Sequence, residues 1–250
     1  FATNNVYEIA PMLHEKFIYL NYSNNQNNFS IGFVHEAMWG GGTKEYGKFP
    51  NSFKDFLKIF IAADGPFFEG QSHANALGNH LGIWDFSYKR IIMNKELKFY
   101  YQHFFEDTSG LRFDNKSDGL WGIELTNLIK DTNILFEYLN TTNQYIDPPY
   151  VNERYYHHYE YQEGWTFKDY SIGNPFLNDN PAKVFHLGIS ADQINKYSYK
   201  FLLSRKIDSS DSIKYQLSLG KMINKYSIGM IVNGEESNGS NMTIKLSYEL

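Results

Sequence analysis

The chain has no cysteine in its 250 residues. That excludes a disulfide framework, a thiolate nucleophile and any metal site built on thiolates. It also lacks a block of basic residues. Lys and Arg number 23 against 28 Asp and Glu, and the net charge is −5, so nothing is arranged to meet a run of phosphates and no nucleic-acid partner is expected. Charge of either sign is sparse: charged residues make up 20% of the chain and aromatics 18%, whereas a disordered chain needs much charge and few rings. Long apolar runs are missing too. Mean hydropathy is −0.49, and no stretch approaches the ~18 consecutive apolar residues of a helical membrane span. A membrane barrel survives this exclusion, because strands that alternate lipid-facing and lumen-facing residues average to an unremarkable hydropathy. The motifs G-x-S-x-G, H-E-x-x-H and the P-loop are absent as well.

What is present is a period of two. Met242, Ile244, Leu246, Tyr248 and Leu250 alternate with Thr243, Lys245, Ser247 and Glu249. Ile213–Leu219 and Tyr197–Leu203 alternate in the same way, and such alternation puts the two sets on opposite faces of a strand. Turn-forming residues at Asp208–Ser212 and Gly234–Asn241 separate these runs. Upstream, Phe17–Ser23, Phe29–Trp39, Leu81–Ile91, Leu97–Phe105, Gly119–Leu128, Ile134–Asn140 and Val184–Asp192 read as strands. About eleven strands are expected, or twelve with Asn5–Leu13. Many are of the ~9–11 residues that cross a bilayer when tilted. One face of each carries rings and aliphatics, as in Trp121, Ile123 and Leu125, and the other carries groups such as Glu124 and Thr126. A soluble β-sandwich alternates likewise, but strand length and aromatic content favour an antiparallel transmembrane β-barrel, a single domain over residues 1–250. Residues 1–11 have neither a basic n-region nor an apolar h-region, and the expectation is a chain that starts partway into a longer protein.

Two segments break the period. Ser52–Ala63 places Phe53, Phe56, Leu57, Phe60 and Ile61 at helical spacing, a short amphipathic helix with Ser52 as N-cap and Asp55 close to completing a capping box. Its expected role is packing against a barrel mouth, favoured over docking on the membrane. Thr141–Pro181 is a long loop rich in Tyr, Asn, Pro and His, and a loop of that size in a compact domain is usually functional or a plug.

The irregular stretches carry a resemblance. His35–Gly42 (HEAMWGGG), Gly47–Phe53 (GKFPNSF), Asn75–Trp84 (NALGNHLGIW), His103–Gly110 (HFFEDTSG), Asp118–Gly122 (DGLWG) and Tyr155–Phe176 (YYHHYEYQEGWTFKDYSIGNPF), in that order, resemble the capsule assembly Wzi family of bacterial outer-membrane proteins, in the form common in Bacteroidetes. The resemblance implies a closed barrel of about eighteen strands, with helical elements on its periplasmic side. It also implies a place in the bacterial outer membrane and a lectin-like hold on capsular polysaccharide. Eleven or twelve strands are too few, so the chain looks like the C-terminal portion of such a barrel. The family's C-terminal signal usually ends in Phe, and Leu250 departs from it.

Glu36, Glu106, Asp107 and Asp118, near His35, His103, Trp39 and Trp121 in sequence, could in principle form a glycosidase pair, but ordinary solvation of a lumen is the favoured reading and no catalysis is expected. His157 and His158 are adjacent and lack further ligands in sequence; no metal or other cofactor is expected. Gly40–Gly42 reads as a tight turn. Sugars combine apolar C–H faces with many hydroxyls, so their sites combine rings with hydrogen-bonding groups. Tyr155, Tyr156, Tyr159, Tyr161 and Trp165 supply rings, and Asn152, Glu153, Glu160, Gln162 and Glu163 supply acceptors and amides. The Arg154 guanidinium could grip an acidic sugar in paired hydrogen bonds. Either this loop meets surface or capsular polysaccharide, or its rings fill the lumen as a plug. Outer-membrane lipid and other outer-membrane proteins complete the expected partners.

Overall fold

The computed structural model describes residues 6–66, 76–106, 108–129, 131–143, 154–167, 170–177, 180–194, 196–207, 212–236 and 239–248. Asp107, Asn152, Glu153 and Leu250, singled out above, lie outside the described residues, as does Asn75 at the head of one resembling stretch.

The chain runs β1 (Tyr7–Ile9), β2 (Met12–Ser23), β3 (Asn27–Trp39), β4 (Gly42–Thr43), β5 (Gly47–Lys48), α1 (Phe53–Phe60), β6 (Asn79–Ile92), β7 (Lys95–Phe105), α2 (Thr108–Leu111), β8 (Gly119–Thr126) and β9 (Thr132–Asn140). It continues with the short hairpin β10 (Thr166–Phe167) and β11 (Tyr170–Ser171), a 3₁₀ turn at Pro175–Leu177, then β12 (Lys183–Ile194), β13 (Tyr197–Ile207), β14 (Ser212–Ile223), β15 (Tyr226–Glu235) and β16 (Gly239–Tyr248). Eleven long strands form one antiparallel sheet in the order β16-β15-β14-β13-β12-β9-β8-β7-β6-β3-β2. The proposed twelfth strand over Asn5–Leu13 divides instead. Tyr7–Ile9 pairs with β4 in a separate small sheet, and Met12–Leu13 opens β2.

Register converts the period of two into two surfaces. One row runs Tyr22, Phe29, Tyr88, Phe99, Ile123, Phe136, Leu187, Leu203, Tyr215, each paired with the next across the sheet. The rings of this face stack: Tyr101 on Trp121 at 3.8 Å, Phe29 on Tyr88 at 4.5 Å. Leu20, Phe29, Ile31, Trp121, Phe136, Ile244 and Leu246 on the same face are exposed. The opposite face is polar. Asn21, Ser30, Ser87, Tyr100, Gly122, Glu137, His186, Ser204, Lys214 and Glu235 lie in one paired row. Its members bond across strands, His186 to Ser204 at 2.7 Å and Lys214 to Glu235 at 3.1 Å. Gly122 sits under the Tyr100 ring, where a Cβ would collide with it, and the Tyr100 hydroxyl donates to Glu137.

The two ends of the sheet differ. At one end the strands are joined by residues 24–26, 93–94, 127–131, 195–196 and 224–225. Met93 and Asn94 both have positive φ, the geometry that lets a two-residue turn follow the strand twist. At the other end the long connections 40–78, 106–118 and 141–182 accumulate. There the polar face becomes apolar and a core forms. Met38, Phe104, Leu139 and Val184 of the sheet pack against Phe49, Tyr155, Tyr156, Tyr161, Trp165 and Leu177. The sheet is barrel-like but not closed among the described residues: β2 and β16 are its edges.

The helix follows its sequence. The Ser52 hydroxyl accepts from the Asp55 N–H and the Asp55 carboxylate accepts from the Ser52 N–H, a complete capping box.

Candidate functional site

The segment 154–177 lies across the inner, polar face at the end with long connections, and its tyrosines are held from below. Asp118 precedes β8 and is fully buried. Its carboxylate accepts from the Tyr155 hydroxyl at 2.8 Å and from the Asn143 N–H at 3.0 Å. Asn115 donates to the Tyr155 hydroxyl and to the Phe104 carbonyl, both at 2.8 Å. Burial, then the Asp118 charge, pushes the Tyr155 phenol well above its ordinary range. Tyr156 is pushed up to about 12, chiefly by burial, and its hydroxyl packs against Gly173 and accepts the Asn174 N–H at 3.3 Å. The Tyr161 hydroxyl donates to the Gly40 carbonyl at 3.3 Å. Gly40 and Gly41 make the tight turn after β3 at φ 61° and 79°, a backbone that favours glycine.

The eight candidate glycan residues therefore separate into two groups. Tyr155, Tyr156, Tyr161 and Trp165 are 1–4% exposed. Their rings are taken up in the core against Met38, Phe104, Leu139 and Val184 and present no face to a ligand; the segment that carries them is termed the plug. Arg154 and Tyr159 are exposed, and Glu160 and Glu163 are partly buried. The Tyr159 ring meets Tyr46 edge-to-face at 6.3 Å and stacks on His158 at 4.9 Å. Gln162 donates to Glu45 at 2.9 Å. His158 Nδ1 accepts the N–H groups of Glu160 and Tyr161, both at 3.2 Å. Burial lowers the His158 pKa to about 3, so it is neutral at pH 7, as an acceptor must be. Burial also raises the Glu160 carboxyl above its usual value.

Tyr46 and Glu45 were not legible as site residues, because nothing in the sequence around them marks them out from other exposed polar and aromatic residues. Thr43 fixes that turn, its hydroxyl accepting the Tyr46 N–H at 3.0 Å. Of the carboxylates weighed for catalysis, Asp118 accepts from Tyr155, Glu106 lies close enough to raise both the Tyr155 and Tyr156 phenols, and Glu36 lies on the inner face of β3 opposite Leu81, near Tyr156. Among the described residues no group of three or more His, Asp and Glu is placed to hold a metal ion. His103 is used structurally: its ring nitrogens reach the carbonyls of Asp118 and Gly110, each at 3.0 Å. A cavity of about 560 Å³ lies elsewhere, lined by Phe29, Phe86, Tyr88, Phe99, Trp121 and Phe136 of the outward apolar face.

The family model for capsule assembly protein Wzi matches residues 10–247. The chain belongs to the capsule assembly Wzi family. A role in capsule assembly at family level follows, and the match covers the sheet, α1 and the plug together, beyond the stretches that first carried the resemblance. No curated protein and no solved structure is recognisably similar to this Wzi-family chain.

Proposed function

We propose that this Wzi-family chain is part of an outer-membrane β-barrel that binds or organises capsular or surface polysaccharide and performs no covalent chemistry. The observation that carries this reading is the plug. Four of its rings anchor it against the inner face, and it holds Tyr159 exposed against Tyr46, whose phenol lies close to Glu160 and the Glu45–Gln162 pair; Arg154 is exposed on the same segment. An exposed ring with hydrogen-bonding groups close by suits a sugar's C–H face and hydroxyls.

The apolar face would meet lipid and the polar face the lumen. In the antiparallel order of eleven strands, β2 and β16 run in the same direction, so joining them directly would make a parallel seam. Bacterial barrels have even strand numbers, and open edges are not tolerated in lipid; an odd number of further strands would close this one. That need keeps a second reading alive, a structural subunit of a larger outer-membrane assembly. Outer-membrane barrels have short periplasmic turns and longer external loops, which supports placing the plug and its connections at the cell surface. The resemblance implies helical elements on the periplasmic side, and the turn asymmetry argues the reverse for α1.

The test is retention of native capsule by the purified full-length protein and its Tyr159→Ala and Tyr46→Ala variants. Retention that falls in both variants supports the proposal; failure of the intact protein to retain any capsular glycan contradicts it.

A further inference from the structure

We infer that α1 is a membrane-interface helix, docked on the outside of the barrel with its free flank in the bilayer at the end that carries the long connections. The inference rests on the lipid-facing reading of the apolar face and adds an occupant for the helix.

The placement of α1 is the first observation. It packs on the outward face of the sheet, not over the lumen. Phe56 meets Trp39 at 5.5 Å and His14 at 5.4 Å, and the Phe60 ring lies 5.4 Å from His14. Trp39 and His14 share the outward face with Phe29 and Ile31 by register. Phe60 also receives the Lys16 ammonium, 4.0 Å from its ring centroid, while Lys16 donates to the Phe60 carbonyl. Lys16 and His14 are the polar interruptions of the outward face of β2. A cation on a lipid-facing strand is costly, and α1 covers this one.

The surface that α1 leaves uncovered is the second. Ile59 is fully buried against the protein, yet Phe53 is 76% exposed, Leu57 50% and Ile61 64%. With Phe60 these recur at i, i+4, i+7 and i+8, one continuous stripe beside the packed one. Lys54 and Lys58 follow on the next flank, and the Lys58 ammonium turns to the Asp64 carbonyl at 3.1 Å. A helix with one flank on the protein, one apolar flank free and one basic flank matches the boundary between acyl chains and phosphate headgroups.

Direction is the third. Phe56 sits beside Trp39, the last residue of β3, whereas Phe60 reaches Lys16, four residues along β2 from Met12, the partner of Trp39. The C-terminal end of α1 is thus the end nearer the middle of the sheet, and there Phe60 brings the apolar stripe up to the outward belt. Continuity with that belt commits the occupant to lipid; a partner protein would be an alternative occupant.

This chain has no cysteine, so an engineered thiol within it meets no competing thiol of its own, any cysteine elsewhere in the full-length protein being replaced first. The full-length protein would be reconstituted into phosphatidylethanolamine–phosphatidylglycerol vesicles with one bimane at Leu57→Cys, Lys54→Cys or Ile123→Cys. The expected result is several-fold stronger quenching of the Leu57 label by shallow nitroxide lipids than by iodide, with the reverse at Lys54. Leu57 quenched by iodide as strongly as Lys54, or shielded from both quenchers by protein, overturns the inference. Ile123 keeps the two readings apart. If its label is reached by nitroxide lipids and the Leu57 label is not, only the helix assignment fails. If neither is reached, the barrel reading fails with it.

Discussion

The Tyr155 hydroxyl donates to Oδ2 of Asp118 across 2.8 Å, joining the plug to the residue that precedes β8. Both partners are buried, and a buried carboxylate that loses a donor keeps its desolvation cost. Tyr155→Phe should loosen the plug by about 1–3 kcal/mol. The readout is hydrogen exchange at the Tyr156 and Gly164 amides, which bond to the Leu177 and Tyr161 carbonyls. Their exchange should quicken while amides of β13 and β14 hold; unchanged exchange would mean that Asp118 does not anchor the plug.

The plug should also weaken in acid through His158. Its pKa in the folded protein is about 3, lowered by burial and then by His80 and His157, against ~6.5 unfolded. Between those values the unfolded segment binds the proton and the folded one does not, so stability rises with pH through this window and falls as pH drops from 7 toward 4. Glu160, with its pKa raised by burial, works in the opposite direction near its own titration. Comparison with His158→Gln isolates the histidine: the variant should lose part of the acid sensitivity of plug exchange. An identical pH profile in both proteins would remove His158 from the explanation.

Gly122 and Tyr100 form a close pair on the polar face. Gly122→Ala forces the Tyr100 ring off its position and off Glu137, an overpacking cost of about 1–3 kcal/mol. Coupling is the sharper test. With Tyr100→Ala already in place, adding Gly122→Ala should cost much less, a non-additivity that distant sites do not show. Additive costs, measured by denaturant unfolding, would contradict the close approach.

The two groups of plug aromatics should respond differently to truncation. Tyr159→Ala removes an exposed ring and should lower capsule retention several-fold with stability unchanged within ~0.5 kcal/mol. Trp165→Ala empties a fully buried site and should cost about 3–5 kcal/mol. Equal stability losses in the two variants would mean that Tyr159 is a packing residue.

The sheet was legible because its pattern is local. Alternation in residues such as Met242–Tyr248 assigns faces without knowing any neighbour, and the long strands given bounds from sequence, all but β15, come within about five residues of them. β2 starts earlier than expected, at Met12, because His14, Glu15 and Lys16 interrupt the apolar alternation, and what tolerates two of them is α1, about forty residues away in sequence. The helix pattern showed which flank of α1 is apolar but not which face of the sheet would receive it. The plug was the least legible. Tyr155 and Tyr159 are the same residue type four positions apart, yet one is bonded to Asp118 and buried while the other faces outward beside Tyr46. That difference is made by Asn115, Asp118 and the turn after β3, all distant in the chain.

The most direct test of the central claim, that the aromatic face meets lipid and the polar face an enclosed lumen, uses neighbours on β8. Ile123 pairs with Phe99 and Phe136 on one face, and Glu124 pairs with Lys98 and Leu135 on the other. Single cysteines at the two positions, each carrying a bimane in the full-length reconstituted protein, would be exposed in turn to acyl-chain nitroxides and to iodide. Strong nitroxide quenching at Ile123 with little at Glu124 is the expected result. An Ile123 label shielded from both quenchers, as it would be inside a dry sandwich, would contradict it.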